Sequence, residues 1–396
     1  MIHTKSKEYY QTIAALAFGS FAIFANLYCV QPLLPLFSQE YDKDLLDSTF
    51  VLTMGTFGLA GSLILYGALS DAVGRYWLML FSIFGSFIVS LLMLTVSSFD
   101  QLLWLRLLHG LVLGALPAVA IAYIGEEFSP YLIPGVVGLY IATNTLGGIS
   151  GRLVGGFISD FYHWKMLYWV MAVINFWAFV LLYYWLTPPK HFVKQPIRFV
   201  GMLKDIYSHL RNFNLLAVYL VIGLSFGVFI NLYTYLAFIL VKQPFNVGTG
   251  FIGLLFLTYL AGTVASIISS RFTAKIGPLN SILIGLMLLM IGIVLLFSPS
   301  LVVKVFGLLI NSFGLFMAHS VSSGWVNRQA VRAKGSASAL YLVFYYLGAT
   351  LAPTLLYPFW SINGWNSLLI GAELYILCAV LIMIILIKWQ PNLKEH

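Results

Sequence analysis

The chain has 396 residues, of which 61% are hydrophobic and only 9% charged, with a mean hydropathy of +0.94. A soluble domain carries about 25% charged residues, so this chain cannot clothe itself in polar surface and is predicted to lie in a lipid bilayer. The formal charge of +8 is not a nucleic-acid signature, because its basic residues fall in the short segments between apolar runs.

Charge-free apolar runs recur along the chain. A span needs about 20 apolar residues, and backbone groups in lipid must pair within their own segment, so the runs are read as helices. The alternation of a β-barrel is absent. Twelve helices are predicted, over 11–36, 48–70, 77–97, 101–124, 132–158, 164–187, 213–239, 248–270, 279–298, 301–325, 335–359 and 365–388. The fold class is therefore an all-α membrane protein. The first run is too long for a signal h-region and lacks a small-residue cleavage site, so it is expected to remain as helix one. Cys29 and Cys378 sit in apolar runs and read as inert thiols.

Between the sixth and seventh helices the segment from Thr187 to Asn212 holds Lys190, Lys194, Arg198, Lys204 and Arg211 against one acid, Asp205. The expected organisation is a six-helix half over 1–187, a linker over 188–212 and a second half over 213–396. With the N-terminus inside, cytoplasmic segments hold fifteen of the 21 Lys and Arg residues, from Lys5 and Lys7 to Lys388 and Lys394. Outer loops then hold four, Lys43, Lys165, Lys242 and Lys304. Basic residues favour the cytoplasmic side, which predicts a multi-pass protein of the cytoplasmic membrane with both termini inside. Two arginines remain within spans, Arg106 and Arg152.

The halves repeat. FAIFANLY (21–28) returns as FGVFINLY (226–233), at a spacing of 205. Gly74 pairs with Gly277 at 203, Gly110 with Gly314 at 204, and Trp164 with Trp365 at 201. Four pairings in order at nearly constant spacing indicate two homologous halves, the parallel-repeat plan of transporters.

Three motifs follow. GALSDAVGR, from Gly67 to Arg75, fills the turn between helices two and three, with Gly67, Asp71, Gly74 and Arg75 at its marked positions. Helix four carries RLLHG, Arg106 to Gly110. Helix five places Gly138, Gly147, Gly151, Gly155 and Gly156 at fixed intervals, with Arg152 between them. The chain resembles the major facilitator superfamily over its whole length, and within it the bacterial drug:proton antiporters. The first motif resembles the family's gating loop, which implies close helix contact at Gly67 and a tight turn at Gly74. It also implies a helix N-terminus facing Asp71, and Arg75 in reach of Glu126 or Glu127. The second resembles a signature in which the arginine is associated with proton coupling, with His109 standing where glutamine is usual. His109 is left as either a packing group or a titrating one. The third resembles the exporter signature G-x8-G-x3-G-P-x2-G-G, with Arg152 in the proline position.

The remaining polar residues within spans give a candidate substrate-cavity set of Asn26, Gln31, Asn144, Arg152, Asn231, Asn311 and His319, and one intramembrane acid, Glu373, as a candidate proton carrier beside Arg106 and His109. For Arg152 three partners stand open: Asp160, a polar group across a helix interface, or an anionic group of a substrate. No nucleotide loop, metal-ligand cluster or nucleophile–base pair is present, so no enzyme, metal or cofactor is expected. The expected partners are a small molecule, protons and the bilayer, with a monomer sufficient. The expected function is proton-coupled efflux by alternating access. Import of a small anion, sugar or metabolite by symport or uniport is the alternative, and a non-transporting receptor or assembly factor a third reading.

Overall fold

The structure, a computed structural model, describes Ile2, residues 6–189, Lys194 and residues 199–389. Lys5, Lys190, Arg198 and Lys394 of the charge pattern lie outside them, as does the side chain of Asp71. Among the described residues the chain is helical, apart from one isolated bridge between Ile2 and Phe128. The first elements are α1 (Lys7–Tyr28), α2 (Leu34–Glu40), α3 (Leu45–Val73), α4 (Arg75–Met93), α5 (Phe99–Leu113), α6 (Ala115–Glu127), α7 (Ile133–Phe161) and α8 (Lys165–Trp185). There follow α9 (Phe199–Arg211), α10 (Phe213–Leu240), α11 (Thr249–Leu255), α12 (Tyr259–Ile276), α13 (Pro278–Leu295), α14 (Leu301–Gln329) and α15 (Lys334–Trp389).

Among the described residues, ten helical runs are long and apolar enough to cross a membrane. The 56-residue α15 counts among them once, yet it leaves helical geometry at Asn363 and Gly364, where Gly364 has φ 59. It is two spans joined by a reversal. α7 has the length, 29 residues, but its glycines and polar residues make it less apolar than those ten. Counting both gives the twelve predicted from sequence.

Three predicted spans are broken inside. Pro32 and Pro35 offer no N–H to the carbonyls four residues back, so α1 stops at Tyr28 and restarts through a 3₁₀ turn at Gln31–Leu33. Gly114 and Pro117 separate α5 from α6 in the same way. The run over 249–276 is interrupted by a 3₁₀ turn at Phe256–Thr258. The turns at Gly74 (φ 94) and Gly277 (φ 80) are the repeat pair read from sequence, and both need the glycine backbone.

By compactness the chain forms two units. One comprises Met1–Phe199 with Leu240–Phe256, the other Val200–Ile239 with Leu257–His396. In the first, α7 lies along α1 with Gly147, Gly151 and Gly155 facing the backbone of Phe21, Ala25 and Cys29, where a methyl group would overlap a carbonyl oxygen. Small residues are what permit such an approach in lipid. In the second, Gly285 and Gly314 bring α13 and α14 together in the manner of Gly55 and Gly110 on α3 and α5. Two expectations change. Gly67 and Gly138 have open space where a side chain would be, so close packing does not account for either. Lys304, read as a loop residue, lies buried in the first turn of α14 and donates to Leu296 O at 2.5 Å. That carbonyl also accepts from Trp365 Nε1 at 3.1 Å.

Candidate functional site

Arg106 and Arg152 are 0% and 2% exposed, so each charge must be met inside the protein. Where α1 breaks, the last carbonyls of the helix have no N–H to accept from. Arg106 on α5 fills that vacancy: Nη1 donates to Asn26 O at 3.1 Å and Nη2 to Leu27 O at 2.6 Å. Its Nε donates to Val51 O on α3 at 2.9 Å. A cation at a helix C-terminus also meets the negative end of the helix dipole. Arg106 is thus the cap of a proline-broken helix.

Beside it runs a buried polar chain. Asn26 Nδ2 donates to Asn175 Oδ1 at 2.8 Å, and Asn175 Nδ2 lies 3.1 and 3.0 Å from the hydroxyls of Ser86 and Ser90. The Ser86 hydroxyl meets His109 Nε2 at 2.8 Å. This network ties α1, α4, α5 and α8 together. Asn175, its hub, was not singled out from sequence, although an asparagine amid the apolar run 164–187 was a visible signal. Asn26 and His109 sit in helix packing here.

Arg152 occupies a second junction. Its Nε donates to Gln31 Oε1 at 2.8 Å, on the 3₁₀ turn of the broken first span, and Nη1 to Gly148 O at 2.9 Å. The guanidinium carbon sits 4.0 Å from the Tyr28 ring centre and 4.4 Å from that of Phe256. Two helix breaks, at Cys29–Val30 and at Phe256–Thr258, therefore meet on one side chain. The Asp160 pairing is corrected: that carboxylate accepts from Thr249 Oγ1 at 2.6 Å and Gly250 N at 2.8 Å, at the start of α11. An acid at a helix N-terminus satisfies donors that the helix itself leaves open, and Asp160 is used there. Tyr28 and Phe256 could not be assigned from sequence, since aromatic residues are abundant throughout.

The other expected residues are dispersed. Arg75 Nη1 pairs with Glu126 at 2.5 Å. Asn144 bonds to Ser20. In the second unit Asn231 Nδ2 donates to Gly227 O at 2.9 Å and Ala349 O at 3.2 Å, and Asn311 Nδ2 to Leu289 O at 3.0 Å. Asn26, Asn231 and Asn311 are fully buried, so in this structure they bridge helices and do not line an open space. His319 is partly accessible; its Nδ1 meets Tyr341 OH at 2.8 Å, and its ring lies 4.8 Å from that of Tyr345. Both carboxylate oxygens of Glu373 are buried, with no hydrogen-bond partner among the described residues. No group of three His, Cys, Asp or Glu able to hold a metal occurs among the described residues.

A bundle of apolar helices, with two arginines held at helix breaks, narrows the chain to a polytopic membrane protein, and comparison with known proteins decides the family. Residues 16–353 match the Major Facilitator Superfamily. The chain belongs to the major facilitator superfamily. Two relatives agree. The inner membrane transport protein YnfM of Escherichia coli K12 is 34% identical over 393 residues, covering 95% of this chain and 90% of that protein. YybF of Bacillus subtilis 168, an uncharacterized MFS-type transporter, is 32% identical over 354 residues, covering 89% and 87%. Among solved structures, the human organic anion transporter MFSD10 (TETRAN) superposes with a TM-score of 0.72 at 18% identity, covering 94% of this chain and 99% of that one. That likeness is one of fold. This major facilitator protein is a multi-pass membrane transporter and not an enzyme.

Proposed function

We propose that this transporter is a secondary exporter of the cytoplasmic membrane, moving a small molecule outward in exchange for protons by alternating access. The observation that carries the reading is the α7 seam. Its glycines keep the exporter spacing, and three of them, Gly147, Gly151 and Gly155, lie against the backbone of α1. A fourth, Gly156, meets the backbone of Thr249 at the start of α11. Such a seam resists water and ion leakage at one end of the molecule, which an exporter working against a gradient requires.

The moving bodies are the two six-helix halves, 1–187 and 213–396, joined by the linker 188–212, with both termini in the cytoplasm. A monomer suffices. The gating loop is Gly67, Asp71, Gly74 and Arg75. Glu373 is the first candidate for the proton carrier and His109 the second. Helix five departs from the exporter signature at Arg152. That departure keeps a second reading in play, import of a small anion, sugar or metabolite by symport or uniport.

A ligand that binds the folded state raises its apparent stability, so thermal unfolding across a small-molecule library finds the substrate. Proteoliposomes of known orientation then give the direction. Outward movement that accelerates under an imposed proton gradient, with proton flux the opposite way, supports export. Substrate and protons moving together inward would replace it with the second reading.

A further inference from the structure

Just before the seventh predicted span the chain builds an amphipathic helix, α9. α9 half-buries one face and leaves the other open. Met202, Asp205, Ile206, His209 and Leu210 turn inward, and His209 Nε2 lies 3.3 Å from Ala333 O. Leu203, Lys204, Tyr207, Ser208 and Arg211 turn outward, with Tyr207 57% exposed. Arg211 sits over the Tyr207 ring at 4.8 Å.

The C-terminal end of the helix is tied to the start of a membrane span. A single residue, Asn212, separates it from the spanning helix α10. Asn212 Oδ1 accepts from Asn214 N at 3.1 Å and Leu215 N at 3.3 Å, which starts a new helix there. The C-terminal end of that outward face, with Tyr207 and Arg211, therefore starts beside the end of a span, where hydrocarbon gives way to headgroups and tyrosine and snorkelling arginine are favoured. Along its edge a cleft of about 210 Å³ opens between α9 and the turn after α14, lined by Ser208, His209, Asn212, Gln329, Val331 and Arg332. One wall is the end of α9 with the start of α10, and the other is the end of the spanning helix α14 with the turn after it. Val331 is 90% exposed beside Arg332, and Arg328 and Lys334 are exposed on the same turn. Within α9 and this turn, Lys204, Arg211, Arg328, Arg332 and Lys334 face a single acid, Asp205.

We propose that this cleft and the outward face of α9 form a binding site for the phosphate headgroup of an anionic phospholipid from the surrounding bilayer. Arg332 is placed to meet the phosphate, Lys204 and Arg211 to hold neighbouring headgroups, and Leu203, Tyr207 and Val331 to rest at the top of the acyl chains. A basic patch with apolar and aromatic neighbours at this depth is the composition expected of an interfacial helix. A soluble acidic partner would have no use for the exposed leucine and valine.

The test is native mass spectrometry of the full chain in mild detergent, offered phosphatidylglycerol or phosphatidylcholine. The wild type should retain phosphatidylglycerol in preference. The triple variant K204Q/R211Q/R332Q should weaken that retention by about fivefold for each charge removed, leaving phosphatidylcholine unchanged. The charge-keeping K204R/R211K/R332K should restore it, which separates binding from misfolding. R271Q/K275Q, at the exposed C-terminal end of α12, should have no effect. The proposal is overturned by absence of headgroup preference in the wild type, or by an equal loss in the control pair. Displacement of the lipid by inorganic phosphate alone, or a dimer that the triple variant abolishes, would also overturn it.

Discussion

An arginine at the centre of a span costs about 2.5–3.5 kcal/mol on insertion scales, and this chain carries two. Arg106 recovers that cost from three backbone carbonyls, Arg152 from an amide, a carbonyl and two ring faces. The difference sets what each position tolerates. In Arg106→Lys one ammonium cannot reach carbonyls on both α1 and α3 in the planar fork geometry, so the variant should lose about 1–3 kcal/mol, read as a lower unfolding temperature in detergent. Arg152→Lys should fare better, because an ammonium can still stand between Tyr28 and Phe256; Arg152→Ala should be the worse of the two. Equal unfolding temperatures for both Arg152 variants would dissolve the aromatic seat. The sequence showed that two charges were buried. Their partners were not legible, because carbonyls freed by a helix break carry no residue signature and two rings among many carry none either.

At the scale of the element, α7 is the least apolar of the long helices and depends on α1 for its place. Apolar surface gives little drive for helix association in lipid, where close van der Waals contact does the work. Gly151→Leu would push a side chain into the backbone of Ala25. We expect it to abolish transport and lower the yield of folded protein by more than half, whereas Gly138→Leu, facing open space, should do neither. Fluorescence size-exclusion profiles and substrate flux check the pair. At the far end of α7, Asp160→Asn removes the negative charge from the start of α11 but leaves an acceptor for Gly250 N. The expected loss is about 0.5–1 kcal/mol, visible as a lower unfolding temperature in detergent. Helix existence was readable throughout from apolar runs. The interruptions were half readable: prolines announced those near Gln31 and Gly114, whereas nothing in the residues at Phe256–Thr258 does so.

For the whole molecule, the alternating access proposed above must reverse the exposure of a binding site while the membrane stays sealed, and the proposed gating turn at Gly74 is the place to interfere with it. Its backbone, at φ 94, disfavours any side chain by about 1–3 kcal/mol. Gly74→Leu and Asp71→Asn should each cut transport at least about tenfold, equivalent to about 1.4 kcal/mol on a barrier, with membrane insertion intact. Undiminished flux in both, with normal surface labelling, would remove the gating role. Glu373→Gln should leave folding unchanged and uncouple movement from the proton gradient; full coupling in that variant places the carrier elsewhere. The repeat read from sequence reappears as geometry, with Gly74 and Gly277 both in left-handed turns and Gly110 and Gly314 both at helix contacts. Substrate chemistry left no such trace, since Asn26, Asn231 and Asn311 spend their donors on neighbouring helices.

The break in the first span also has a consequence for biogenesis. The carbonyls of Asn26 and Leu27 leave the ribosome about 80 residues ahead of the arginine that closes them, a wait of roughly 4–16 s at about 5–20 residues per second. During that interval the nascent first span holds an open end in the bilayer, and Cys29 lies beside it, its thiol directed to Asn26 O at 3.3 Å. Nascent chains arrested before Phe99 should therefore expose Cys29 to a membrane-permeant maleimide. Chains arrested well beyond Glu127, with Arg106 inserted, should protect it.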